Sequence, residues 1–257
     1  MAQEPWSLVQ AKRYAEAAEA YSCAYADSGD TCDLRGRANA RLLAGQPAEA
    51  RDDYARVIDE TEARYRGSGD YLDLGTSYWY LGEPTSAVAQ WRLSTSAPYT
   101  DAAGGVGCPV FLLYAGVRLQ DTVVESEAVR LLRKLWQKHQ RRVERGPAHT
   151  TRERHNDLVH PGLYAWPGAL VPFLLNKIGV IALDAAAKDT SSDVLRSRQL
   201  CQADFAAAVQ SLRSGDESGF RVRMAQCASR SRGELEHEFL LARWEVENQF
   251  PHRPFAR

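Results

Sequence analysis

Apolar residues recur along this chain at helical spacing, in blocks divided by short polar turns. Small residues that precede a larger apolar residue by four fall into register: Ala17/Tyr21, Ala50/Tyr54, Ala87/Trp91 and Ala128/Leu132. Four residues is about one helical turn, so each pair sets a close approach beside a groove-filling side chain. Successive pairs stand 33, 37 and 41 residues apart, the range of helical-hairpin repeats. A polar turn precedes each: "QAKRY", "AGQPA", "LGEPT" and "QDTVV". Further helical stretches at 34–43, 72–81 and 109–119 lie before the last three turns. Period-2 alternation is absent and β-branched residues are sparse, which argues against sheets. The pattern predicts antiparallel helix pairs that bury their faces by stacking on neighbours.

After residue 145 the pattern stops. The stretch "GPAHTTRERHNDLVHPG" is polar and bounded by Gly and Pro, so 146–165 reads as a loop or hinge. Helices resume beyond "AWPG": a short pair over 170–187, a longer helix over 195–213, a turn at "SGD", and a return helix over 220–228. The stretch 234–247 places Leu235, Phe239, Ala242 and Val246 on one face, with Glu236, Arg243 and Glu247 on the other. That amphipathic pattern suits a terminal cap. The expected organisation is 1–145, N-terminal repeats; 146–165, loop; and 166–257, degenerate repeats, cap helix and tail.

The opening stretches resemble the tetratricopeptide repeat (TPR) family. Tyr71, Leu74, Gly75, Tyr78, Gly82, Ala87 and Trp91 stand at the family's signature spacings, with Pro98 near its closing proline. An earlier unit keeps Leu34, Ala38, Gly45, Ala50 and Tyr54. The first keeps a second helix only, with Tyr14, Ala17, Tyr21 and Ala24, and the fourth is degenerate, with Gly116, Ala128 and Leu132. The resemblance covers most of residues 6–145 and implies an all-α, TPR-like solenoid with a C-terminal capping helix. It is similar in kind to degenerate bacterial stand-alone TPR proteins.

Composition changes the picture mainly by exclusion. A formal net charge of −1 gives the whole molecule no nucleic-acid footprint. The first twenty residues have no apolar core and no small-residue cleavage site, so a secretory signal is not expected. The most apolar stretch, 169–183, is interrupted by Pro172, Asn176 and Lys177, so no membrane span is expected. Five cysteines, an odd count without C-x-x-C, argue against a disulfide framework or zinc knuckle and for a reducing compartment, the cytoplasm.

Candidate chemistry is thin. His149, His155 and His160 share a loop with Glu153 and Asp157, but not at a metal-motif spacing. Glu234 and His237 make an E-x-x-H without the second copy a di-iron bundle needs. The glycines of "DAAGGVGCPV" match no phosphate cradle and read as a turn. Arg130, Arg133, Lys134, Lys138, Arg141, Arg142 and Arg145 read as the wet side of a helix that buries Leu131, Leu132 and Leu135. No catalytic residue, metal or cofactor is expected.

The resemblance implies a concave groove lined by the first helix of each repeat. By phase, Arg35, Asn39 and Leu42 would point into it, then Asp73, Thr76 and Trp79 with Tyr80 near the edge, then Tyr114 and Val117. Arg35 and Asn39 match two positions of the carboxylate clamp that some family members carry, but Asp73 and Tyr114 do not complete it. The expected function is a non-catalytic scaffold that binds another protein or peptide. Its sharpest form is an immunity protein that neutralises a cognate bacterial toxin, a form taken from the family's uses. A regulatory adaptor, or a metal-dependent enzyme built on the 149–160 loop, are the alternatives.

Overall fold

The computed structural model describes residues 4–100, 102–145 and 166–250, apart from the side chains of 102–104 and 142–145. Among the described residues there are thirteen α-helices and no strand. The chain divides at Tyr99 into two compact units.

The first unit holds α1 (Pro5–Gln10), α2 (Tyr14–Ser28), α3 (Thr31–Leu43), α4 (Pro47–Glu60), α5 (Ser68–Tyr80) and α6 (Pro84–Leu93). Each helix packs on the next in sequence, from α1 against α2 to α5 against α6. The second unit holds α7 (Ala102–Leu119), α8 (Thr122–Arg145), α9 (Leu170–Leu174), α10 (Val180–Lys188), α11 (Asp193–Arg213), α12 (Glu217–Ser229) and α13 (His237–Glu247). Here α7 pairs with α8 and α11 with α12, and α11 also touches α7, α10 and α13. The sequence pattern placed α7 and α8 in an N-terminal array ending at 145. Their packing groups them with the later helices, because α7 lies on α11 and α8 on α9. The expected 146–165 loop and the tail after Phe250 lie outside the described residues.

Four hairpins turn by one local device. After α3, α5 and α11 comes a glycine in the left-handed region: Gly45 (φ 79°), Gly82 (φ 76°) and Gly215 (φ 82°). The next N–H then reaches back to the helix: Gln46 to Arg41 O at 2.9 Å, Glu83 to Tyr78 O at 3.0 Å and Asp216 to Ser211 O at 2.9 Å. This is the Schellman closure. Pro47 and Pro84 then start α4 and α6 with a preset φ and no orphaned donor. Between α7 and α8 the left-handed position is Gln120 (φ 55°), and Asp121 caps α8 by accepting from the Val123 and Val124 N–H groups.

The register read from the sequence is carried by packing. Ala17, Ala50, Ala87 and Ala128 are all fully buried. Across from two of them the first helix of the hairpin has a glycine. A β-carbon at Gly75 would overlap the Trp91 indole, and one at Gly116 would lie 2.5 Å from the Glu125 backbone nitrogen. Close helix approach therefore requires the missing side chain at both positions.

Two local expectations change. The glycines at 104–107 are helical, and α7 starts at Ala102 and runs through Pro109. Burial of Val106, Cys108 and the run 110–115 outweighs the weak helix propensity of glycine. The last helix is also not a simple amphipathic cap. It buries Glu238, Phe239, Leu240, Leu241, Ala242, Trp244 and Glu245, while Leu235 and Val246 remain exposed. No described helix is long and apolar enough to cross a membrane.

Candidate functional site

Of the residues expected to line a groove, those that keep exposed surface are polar residues on α3 and α5. Asp30 caps α3, its side chain accepting from the Cys32 N–H at 2.8 Å. Asp70 caps α5 by accepting from the Gly67 N–H at 2.7 Å. The other oxygen of Asp70 pairs with Arg35 Nη2, and Asp73 lies 3.5 Å from Arg35 Nε. Burial opposes the Arg35 charge, but Asp73 and Asp70 outweigh it and hold the guanidinium above its ordinary pKa. The Arg35 side chain nevertheless stays 41% exposed. Asn39 stands one turn along α3, and Tyr80 two turns along α5 from Asp73; both are half-buried. Four of the eight expected residues thus keep exposed surface, and two of them, Arg35 and Asp73, are in contact.

The other four are withdrawn from solvent. Leu42, Thr76, Trp79 and Tyr114 are buried. Thr76 turns its hydroxyl onto the Leu72 carbonyl at 2.9 Å. Trp79 stacks on Trp91, and Trp91 in turn donates its indole N–H to the Leu72 carbonyl at 3.4 Å. Tyr114, in the second unit, donates its hydroxyl to Glu245 at 2.6 Å. The reason is that α5 and α7 are covered over most of their circumference. A phase argument that assumes one open face fails there. The clamp comparison also weakens, because Arg35 already has two internal carboxylates.

The structure further contains buried acid–arginine nodes that the pattern did not show. Asp53 on α4 accepts from Arg37 Nε at 2.8 Å, Arg37 Nη2 at 2.6 Å and Arg41 Nη1 at 2.6 Å. Asp204 on α11 accepts from Arg223 at 3.1 Å and Arg230 at 2.8 Å. Glu245 on α13 accepts from Arg118 Nε at 2.6 Å and Nη2 at 3.0 Å, besides Tyr114. Arg118 lies over the Phe220 ring at 5.4 Å. Burial pushes the Glu245 carboxyl up even against these donors. The only sequence signal was an acid at a packed helical position with arginines one turn apart, as at Arg37 and Arg41.

A second acidic group lies where α11 meets α13. Glu236 pairs with Arg198 and accepts from Gln202 Nε2 at 2.7 Å. The Trp166 indole holds the other end of Gln202 at 2.5 Å. Glu238, two residues on, is fully enclosed, and burial followed by the charge of Glu236 raises its pKa to about 7. Glu238 is buried, with 4% of the residue's surface exposed.

Other sequence candidates resolve into packing or fall outside view. The His149–His160 loop lies outside the described residues. Glu234 is buried and the His237 ring rests against Phe111 at 5.6 Å, so this E-x-x-H belongs to the core. Arg130, Arg133, Lys134, Lys138 and Arg141 are exposed on α8 while Leu132 is buried, the wet-face arrangement expected. No group of metal-binding side chains occurs among the described residues. No known family's sequence model matches the chain, and no curated protein is recognisably similar to it.

Proposed function

We propose that the protein is a non-catalytic, TPR-like scaffold that binds another protein through the strip formed by Arg35, Asn39, Asp73 and Tyr80. The observation that supports this reading is the Arg35 bridge to Asp70 and Asp73, which ties the first helices of two consecutive hairpins through their side chains. Their outer residues then form one mixed surface: a cation, an amide, an acid and a phenol. Arginine and tyrosine are favoured anchors at protein interfaces, and mixed charge rejects mismatched partners. The buried carboxylates Asp53, Asp204, Glu236 and Glu245 are taken up in internal pairs, which suits a structural role.

The partner proposed is a cognate bacterial toxin, met in the cytoplasm, with the scaffold acting as its immunity protein. The test is a paired capture from the source organism with the wild-type chain and an Asn39→Ala/Tyr80→Ala variant, read by mass spectrometry. The wild type should retain a protein that the variant loses at unchanged Tm. Co-expression with that partner's gene should then rescue growth only with the wild type. Equal capture by both would move the interface off the strip. A non-toxic partner lost by the variant would make the protein an adaptor.

A further inference from the structure

The cysteine count argued against a disulfide framework, yet two of the five thiols meet. Cys201 lies near the middle of α11 and Cys227 in the last turn of α12, nearly equidistant in sequence from the Gly215 turn that joins the two helices. Both residues are fully buried, and their sulfurs are 3.0 Å apart. A disulfide needs about 2.05 Å and helices close enough to face their Cβ atoms. Opposed positions on an antiparallel hairpin supply that placement. Cys23 and Cys32 are exposed in the other unit, and Cys108 is buried within α7.

We propose that Cys201 and Cys227 are a paired dithiol that a low-molecular-weight disulfide oxidises to a single bond fastening α11 to α12. With oxidised glutathione as oxidant, one protein thiol loses its proton and attacks a glutathione sulfur. It expels one glutathione thiolate and leaves a mixed disulfide. The second protein thiol, deprotonated in turn, attacks the protein sulfur of that mixed disulfide and expels the other glutathione. Two protein thiols and one oxidised glutathione become one protein disulfide and two reduced glutathiones.

The surroundings set the rate. Burial raises both thiol pKa values, so little thiolate exists in the closed hairpin. The Cys227 sulfur also sits 3.4 Å from the Glu238 carbonyl, beneath the start of α13. Reaction therefore waits for α13 to lift, and the finished bond is shielded from reductants by the same helix.

The experiment uses the full chain, held in native buffer with excess oxidised glutathione, then denatured, alkylated with iodoacetamide and peptide-mapped. The expected result is one linked peptide pair containing Cys201 and Cys227, with Cys23, Cys32 and Cys108 linked to no other cysteine and the exposed Cys23 and Cys32 carrying glutathione or the alkyl group. Hydrogen exchange of α11 and α12 amides should slow in the oxidised form. A Cys23→Ser/Cys32→Ser/Cys108→Ala variant should give the same link, and Cys227→Ser should give none. Cys201 and Cys227 both left unlinked after α12 amides have fully exchanged would overturn the proposal. So would a link to any other cysteine, or faster exchange after oxidation.

Discussion

The indoles of Trp79 and Trp91 stack with centroids 5.5 Å apart and planes 27° from parallel, both wholly buried at the α5–α6 hairpin. Phase alone had divided them, Trp91 to the core and Trp79 to the groove. Their contact predicts equal treatment. Trp79→Ala and Trp91→Ala should each cost about 3–5 kcal/mol of stability in urea unfolding. The double variant should cost less than the sum, because each partner loses the same stack. A Trp79→Ala chain as stable as wild type would return that side chain to the surface.

Arg118→Met leaves Glu245 enclosed without its cation. The expected loss is about 3–5 kcal/mol, the cost of stranding a buried charge. Arg118→Met/Glu245→Leu removes both ions and should recover most of it. Thermal unfolding of the three chains decides the point. A double variant no better than the single one would show that Tyr114 or shape, not charge, governs the node.

Glu238 gives the protein a pH signature. Its carboxyl titrates near 7 in the folded chain and near the ordinary 4.5 when unfolded. The folded state thus holds the proton more tightly. The contribution to stability is fully present below about 4.5 and is lost as pH rises through about 7. Stability should fall by up to about 1.4 kcal/mol per pH unit across that window from this group. Glu238→Gln keeps the shape, removes the titration, and should flatten the profile measured by denaturant midpoints.

Asp53→Asn and Asp204→Asn each leave two arginines facing an uncharged amide. Each should destabilise by on the order of 2–3 kcal/mol, the worth of hydrogen bonds to a charged acceptor. Limited proteolysis should show new cleavage in the first unit for Asp53→Asn and in the second for Asp204→Asn. Cleavage sites common to both variants would argue against separate roles.

Most of the helix plan was legible in the sequence because it is written locally. The Ala-plus-four register, the Gly turns and the prolines that start α4 and α6 act over a few residues, and all appear in the structure. What was not legible depends on long-range cover. Gly104 to Gly107 read as a turn until burial of the following residues made them helix. Trp79, Thr76 and Leu42 looked groove-facing because a single sequence does not say how many sides of α3 and α5 are covered. The Tyr114–Glu245 bond joins residues 131 positions apart, which no periodicity reports. Within the candidate strip, Arg35 and Asp73 were visible as charges, but their mutual pairing was not.

Asp70 receives the Gly67 N–H on one oxygen and the Arg35 guanidinium on the other. The first bond belongs to helix initiation and the second to the outer strip, so one carboxylate serves both. Replacing Arg35 would therefore leave the Gly67 bond in place: α5 keeps its N-terminal cap while its tie to α3 is lost, so helix start and helix-to-helix linkage can be separated at a single side chain.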